Sequence, residues 1–288
     1  MKHSIAIIAI SLQALTLQAQ VNTAATQLGK AKIITKPKGG AQYVFESPNA
    51  NFICYSGTSL NTVYVHNLKK KKTKLIYTGT NCGYFPAWAS NSGSVYMRNK
   101  YKQEGKYLIQ TINYNLATGT AKPNTTILPQ SINGAIVDEN TMVYINEKLQ
   151  LVKYTQETKQ TVVIEANKQC YQPIVSPNKQ HVAVHIGADV WVYDITGNTP
   201  AYSLGQGLVS AWSPNSQYLI GHFDESKDGH EISGSELYVF NIVTKTKTKI
   251  TNTPNIVEMN PSFSANGKTV YYIDSKTGFI YNSPITFN

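Results

Sequence analysis

At 288 residues the chain can hold two ordinary domains or one large all-β domain. Charged residues make up only 15%, and 19 tyrosines stand among abundant Thr, Asn and Ser, a balance that suits strands and turns better than helices. The net charge of +10 raises the question of a nucleic-acid or anionic partner, yet much of it sits in two short runs, "LKKKKTK" from Leu68 and "VTKTKTK" from Val243. Each run lies between two strands and reads as a solvated hairpin tip. No aromatic ladder interleaves the lysines, so nucleic acid is not an expected partner.

In chain order, the first segment is "MKHSIAIIAISLQALTLQAQ". A short basic start, an apolar run from Ile5 to Leu17 and a small residue at Ala19 read as a secretory signal peptide over 1–19, with a retained anchor as the rival reading. Export to the periplasm or the cell exterior is therefore expected. No later stretch approaches a membrane span. Residues 20–288 read as one domain. Its first strand-like segment, "AKIITKP" from Ala31 to Pro37, belongs to no repeat of its own.

Six copies of one phrase follow, anchored on Asn49, Asn91, Asn140, Asn178, Asn215 and Asn266, at intervals of roughly forty to fifty residues. The first runs "FESPN", then "NFICYS", "TVYVHNL" and "KTKLIYT". The second is "AWASN" with "YLIQTINYNL", and the third, a degenerate copy, is "IVDEN" with "LQLVKYT" and "KQTVVIE". The fourth pairs "IVSPN" with "HVAVHI" and "DVWVYDI"; the fifth pairs "AWSPN" with "YLIGHF", "ELYVFNI" and "KTKITNT". The sixth is "SFSAN", "TVYYID" and "GFIYNSPI", where the chain ends. Ser-Pro-Asn supplies a type I turn, with Pro fixing φ at the second position and Asn accepting the third. Four short antiparallel strands per unit at this period predict a six-bladed β-propeller. The last copy has only three strands, so the N-terminal segment 31–37 is expected to pair beside 278–285 and close the ring, because an open edge invites aggregation.

Cys54, Cys82 and Cys170 match no zinc spacing, and their odd number cannot complete a disulfide framework. Cys54, inside "NFICYS", reads as a small buried hydrophobe.

The copies "LVSAWSPNSQYLIGHFDESKDGHEISGSELYVFN" and "NPSFSANGKTVYYIDSKTGFIYN" resemble the TolB-type six-bladed propeller built from WD-like repeats. The resemblance spans essentially the whole mature chain, with Asn-Lys, Asn-Ser or Asn-Gly where that family usually has Asp-Gly. It implies the fold. It does not imply TolB's envelope role, since only about twenty residues stand between the leader and the first blade, too few for TolB's extra N-terminal α/β domain. Propellers serve as scaffolds, receptors and enzymes alike. Related propellers also precede serine peptidase domains, but no Gly-x-Ser-x-Gly elbow is present here.

The expected binding face is built from the loops joining second to third strands and from the loops between blades. The longest of these, His222 to Glu236, carries Asp224, Glu225, Asp228, His230, Glu231 and Glu236 in an otherwise carboxylate-poor chain. Hard oxygen ligands on a loop could hold calcium, although the twelve-residue calcium pattern is absent, so no cofactor is expected. His185 and His222 occupy matching points at the ends of second strands, where two neighbouring blades could present them near the channel for metal binding or acid–base work. In lyases with a related propeller, histidines of this kind help hold a metal. Tyr84, Arg98, Tyr101 and Tyr171 complete the candidate surface as inter-blade anchors. The expected function is an exported, monomeric, non-enzymatic binding or scaffold protein for a protein or glycan partner. The alternative is a metal-dependent carbohydrate lyase or hydrolase in the central pocket.

Overall fold

In the computed structural model, residues 26–124, 134–137, 140–226 and 232–287 are described. The expected leader over 1–19 and Asp228 lie outside them. Every regular element among the described residues is a strand, and six sheets form a ring. Blade 1 comprises Ala41–Glu46, Phe52–Gly57, Thr62–Asn67 and Lys72–Thr78. Blade 2 comprises Ala87–Trp88, Ser94–Gln103, Lys106–Asn115 and Thr120–Asn124. Blade 3 runs through Gly134–Ile136, Thr141–Ile145, Leu151–Thr155 and Gln160–Glu165, and blade 4 through Tyr171–Val175, His181–Ile186, Asp189–Asp194 and Tyr202–Gln206. Blade 5 is Leu208–Trp212, Tyr218–Ser226, Ile232–Asn241 and Thr246–Lys249. Within each blade, consecutive strands pair antiparallel, the first strand being innermost.

Blade 6 supplies only Glu258–Phe263, Thr269–Asp274 and Phe279–Thr286 from the C-terminal part of the chain. Its outer edge is completed from the N-terminal side: Lys32 pairs with Asn282 and Ile33 with Tyr281, while a shorter piece sets Gln27 opposite Thr286 and Leu28 opposite Ile285. The ring closes as the sequence predicts, and the closing strand extends one piece further toward the N-terminus than segment 31–37. At the seam two glycine backbones touch. Gly278 and Gly40 both have positive φ (68° and 78°), and a Cβ on Gly278 would stand 2.3 Å from the Gly40 Cα.

The repeated Asn turns define one face of the ring. In Ser47–Ala50 the Ala50 N–H donates to the Ser47 carbonyl at 2.8 Å. The Ser47 hydroxyl donates to Asn49 Oδ1 at 2.8 Å and accepts the Phe52 N–H at 3.1 Å. The same pattern recurs at Ser176, Ser213 and Ser264. The residue after the Asn is left-handed in five of the six copies: Ala50, Ser92, Lys179, Ser216 and Gly267 have φ between 55° and 70°. Only the last of them is a glycine, which is why this extra bulge is invisible in the residue types.

Apolar cores fill the spaces between neighbouring blades rather than the channel. Cys54, Val63, Val95 and Met97 pack between blades 1 and 2, and Val184, Leu151 and Val143 between blades 3 and 4. Trp212 of blade 5 donates its indole N–H to the Ile174 carbonyl of blade 4 at 2.8 Å, and Trp88 of blade 2 does the same to Phe45 of blade 1 at 3.0 Å. All three cysteines are buried and free. The Lys-rich runs are exposed tips between third and fourth strands, where Asn67 and Asn241 accept the backbone N–H groups of the turns.

Candidate functional site

The face opposite the Asn turns carries the hairpins between second and third strands and the loops between blades. The ring encloses a central cavity of about 1850 Å³ lined by residues of all six blades, reaching from Tyr84 and Arg98 toward this face to Pro48, Pro177 and Pro214 at the Asn turns. Two groups of the candidate side chains stand on this face, at different places.

The first lies between blades 1 and 2. Tyr84 and Phe85 come from the loop leading into blade 2, and Tyr43 from the innermost strand of blade 1. Their rings meet at 4.4 Å for Tyr43–Phe85, 5.2 Å for Tyr84–Phe85 and 5.9 Å for Tyr43–Tyr84. Phe85 holds a φ of 53°, rare for an aromatic residue, and this bulged backbone turns its ring onto Tyr43. The Arg98 guanidinium lies 5.1 Å from the Tyr84 ring centre, a cation–π contact. Burial raises the Tyr84 phenol, opposed by Arg98, and burial lowers the Arg98 pKa. Tyr84, Phe85 and Arg98 all line the cavity. Flat rings beside a guanidinium suit a sugar ring, a carboxylate or an aromatic side chain.

Arg98 and Tyr101 are not in an inter-blade loop. The second strand of blade 2 continues to Gln103, so both are strand residues. Side chains alternate along a strand, which sets Arg98, Lys100 and Lys102 on one face and Tyr101 on the other. Tyr101 is half-buried and does not join the aromatic group.

The second group lies between blades 4, 5 and 6. His185 is 1% and His222 4% exposed. His185 Nε2 accepts the Val209 N–H of blade 5 at 3.1 Å, and His222 Nδ1 accepts the Asn260 N–H of blade 6 at 3.4 Å. The matching register is real, but both imidazoles fasten one blade to the next, and neither lines the central cavity. Burial, helped by His222, pushes His185 down to about 4. Burial also lowers His222, against the raising effect of Asp224, whose Oδ1 stands 3.5 Å from His222 Nε2. Tyr171 stacks on His185 at 6.2 Å and donates its hydroxyl to the Gly187 carbonyl.

The stretch 222–236 is less a loop than a hairpin, because strand pairing continues from His222–Leu237 out to Ser226–Ile232. Its alternating pattern carries the ladder outward. Asp224 is half-buried and 3.2 Å from the Ser235 hydroxyl, while Glu225 is exposed. Among the described residues no group of three or more His, Cys, Asp or Glu side chains is arranged to hold a metal ion.

Two participants are silent in the sequence reading. Tyr43 sits four residues before its turn Ser47, as Phe85 sits four before Ala89, and that shared position is the signal that would have found the pair. Glu258 is fully buried; it accepts the Thr253 hydroxyl on Oε1 and leaves Oε2 without a hydrogen-bond partner. Burial pushes its carboxyl up to about 7, with Glu236 and Asp274 adding to the rise.

No protein-family model matches the chain, and no curated protein does. Solved structures do. TolB from Acinetobacter baumannii aligns over 88% of this chain at 17% identity and TM-score 0.54, and this chain spans 65% of the TolB chain. An oligogalacturonate lyase from Vibrio parahaemolyticus aligns over 87% of this chain and 79% of its own, at 15% identity and TM-score 0.53. The Cps50 (Swd1) β-propeller domain of Myceliophteria thermophila aligns over 91% of this chain and 100% of its own, at 9% identity and TM-score 0.62. The fold is a TolB-like propeller. At these identities the likeness concerns the fold, and a TolB-like propeller carries its chemistry in loops that differ from one protein to the next.

Proposed function

We propose that this TolB-like propeller is an exported binding protein that holds a protein or glycan partner on its loop face and in the mouth of the central channel. The observation that carries the reading is the Tyr84–Phe85–Arg98 group, backed by buried Tyr43, on the wall of a cavity lined by every blade. Rigid aromatic rings supply contact area at small entropic cost, and an arginine beside them is a common anchor. Export rests on the basic-then-apolar pattern of residues 2–19.

Direct binding to a glycan array and to envelope extracts tests the reading, with Tyr84→Ala and Arg98→Ala as the variants. Retention should fall at least tenfold in either variant, a loss of about 1.4 kcal/mol. Equal retention by wild type and both variants would remove the site from consideration.

A metal-dependent carbohydrate lyase or hydrolase is the second reading. One observation favours it: His185 Nδ1 and His222 Nε2 have no hydrogen-bond partner. Metal bound by the purified protein and lost in His185→Ala, together with cleavage of a polysaccharide, would carry that reading. Metal-free protein inert on the same panel would end it.

A further inference from the structure

Lysine supplies nearly all the positive charge of this chain, and Arg98 is its only arginine. That residue stands at the foot of a projection. The second strand of blade 2 has ten residues, Ser94–Gln103, whereas those of blades 1, 4 and 6 have six. At roughly 3.3 Å per residue, this hairpin rises about 13 Å further on the loop face. A tight turn ends it, with positive φ at Glu104 and Gly105 (51° and 79°).

Register decides what the hairpin shows. Opposite Arg98, Lys100 and Lys102 stand Thr111, Ile109 and Tyr107, so these six side chains share one face of the ladder. Arg98, Ile109 and Thr111 line the cavity. The same face continues outward past half-buried Lys100 to exposed Lys102 and to Tyr107, which is 65% exposed. It forms one strip from channel wall to hairpin tip. Each cation of the strip rests on a tyrosine: Arg98 lies 5.1 Å from the Tyr84 ring centre, Lys100 4.4 Å and Lys102 5.9 Å from that of Tyr107. The rings hold these long side chains in place, which reduces the entropy lost when they bind, and an ammonium on a ring face still turns donors outward. Acidic residues are scarce around the strip. The hairpin 94–115 has only Glu104, in the turn, and the adjoining loop-face segments 57–62 and 79–86 carry no charged residue.

We propose that this strip receives an extended acidic segment of a partner protein, with carboxylates at alternate positions. The inference rests on the binding reading above and names the chemistry of its protein partner. Cations at alternate strand positions stand about 7 Å apart. An extended peptide shows every second side chain on one side with the same period, so three alternate Asp or Glu residues meet Arg98, Lys100 and Lys102 in register. At the inner end a guanidinium takes a carboxylate on two parallel bonds, which an ammonium does not do, and this is what the one arginine supplies. The segment continues from there into the channel mouth beside Tyr84 and Phe85. Single-stranded nucleic acid fits less well, because its bases need open aromatic faces and the tyrosines of the strip carry cations on theirs.

Fluorescence anisotropy tests this with a labelled peptide of alternating glutamate and serine, at about 0.1 M salt. Binding is expected, weaker by about tenfold for the glutamine analogue and by about threefold for a peptide of equal composition with its glutamates in one block. Lys100→Gln with Lys102→Gln should weaken the peptide about tenfold at an unchanged melting profile. Arg98→Lys keeps the charge and loses the fork, and should weaken it about threefold. At about 1 M salt, where the screening length falls to about 3 Å, binding should drop by about tenfold or more. No binding, equal binding by the lysine variant or of the block peptide, or tighter capture of a thymidine oligonucleotide or an acidic polysaccharide overturns the proposal. An envelope partner lost in Tyr84→Ala and kept in the lysine variant overturns it too, and leaves the binding reading standing. Peptide binding that needs the lysines but ignores Tyr84→Ala upholds the strip and fails the channel-mouth reading.

Discussion

Removing the closing strand is the most informative perturbation of this fold. A chain beginning at Pro37 loses Gln27–Leu28 and Lys32–Thr35, and with them the outer cover of the last blade. Leu28 and Ala31 pack against the core between blades 5 and 6, and Ile34 against the core between blades 6 and 1. Each is partly buried, so the three together contribute about 3 kcal/mol of apolar transfer. Ile280 and Ile285, now 0% and 6% exposed, become partly uncovered and add about 2 kcal/mol more. The lost strand hydrogen bonds are roughly offset by the freed backbone entropy. A total near 5 kcal/mol is a large part of the usual 5–15 kcal/mol stability of a domain, and at about 2–4 °C per kcal/mol it lowers Tm by about 10–20 °C. Calorimetry of the truncated and full mature chains measures it, and a peptide of residues 26–37 added in excess should restore part of the loss. The bare edge should also aggregate. Gly278→Ala injures the same seam, since a Cβ there meets the Gly40 backbone at a φ that disfavours any side chain. A truncated chain melting within about 2 °C of the parent would refute a closing role for this strand, because the packing of Leu28, Ala31 and Ile34 could not then be contributing.

Trp88→Phe and Trp212→Phe each remove an indole donor to an inner-strand carbonyl of the neighbouring blade, so each should cost about 1–2 kcal/mol in urea unfolding and the two should add, their blade pairs being separate. His185 has its pKa pushed down to about 4, below its unfolded value of 6.5, so its contribution is present above pH 6.5 and is lost as pH falls toward 4; unfolding midpoints across that range should show the decline, and His185→Gln should flatten it. Glu258 is raised from 4.5 to about 7, which works in the other direction: its stability is full below 4.5 and is lost as pH rises through 7. Glu258→Gln should therefore gain on wild type between pH 5 and pH 8, by a few kcal/mol at most, and parallel pH profiles would contradict the assignment. Burial pushes the Cys82 and Cys170 thiols up to about 11 and raises Cys54 further, so a thiol reagent at pH 8 should label none of them until the protein unfolds.

The repeat was legible because each blade restates the same local chemistry. Ser, Pro and Asn specify the turn, and the alternating strand behind it specifies which face is buried. Blade 3 read as degenerate because its copy, "IVDEN", has neither the serine nor the proline that specify the turn in the other blades. The candidate site was legible only by residue type. Tyr43 and Phe85 meet at 4.4 Å because two blades dock, and no local pattern encodes docking. The histidine spacing announced equivalent positions but not their employment. Each accepts a backbone N–H from the following blade, a partner fixed by the curvature of the ring. The two long hairpins hid in the same way, since "RNKYK" and "HFDESKDGHE" look like loops when polarity is weighed without strand alternation.

The inner part of the turn face is spent on assembly. The Asn49 N–H of blade 1 donates to the Ser92 hydroxyl of blade 2 at 3.0 Å, and the Asn178 N–H of blade 4 donates to Ser216 of blade 5 at the same distance. Glu46 accepts the Ala265 N–H at 2.8 Å and the Tyr271 hydroxyl at 2.6 Å, tying blade 1 to blade 6. Polar groups committed in this way cannot be offered to a partner without loosening the ring. Histidines 185 and 222 are committed likewise, deeper between the blades. The loop face also carries side chains of another kind: Lys100 and Lys102 around an exposed Tyr107, and exposed Glu225 on the blade 5 hairpin. Recognition on the loop face can change residue by residue while the fastening between blades holds the ring. A substitution at Lys102 or Glu225 should therefore have little effect on melting, whereas one at Glu46, which ties blade 1 to blade 6, should lower it.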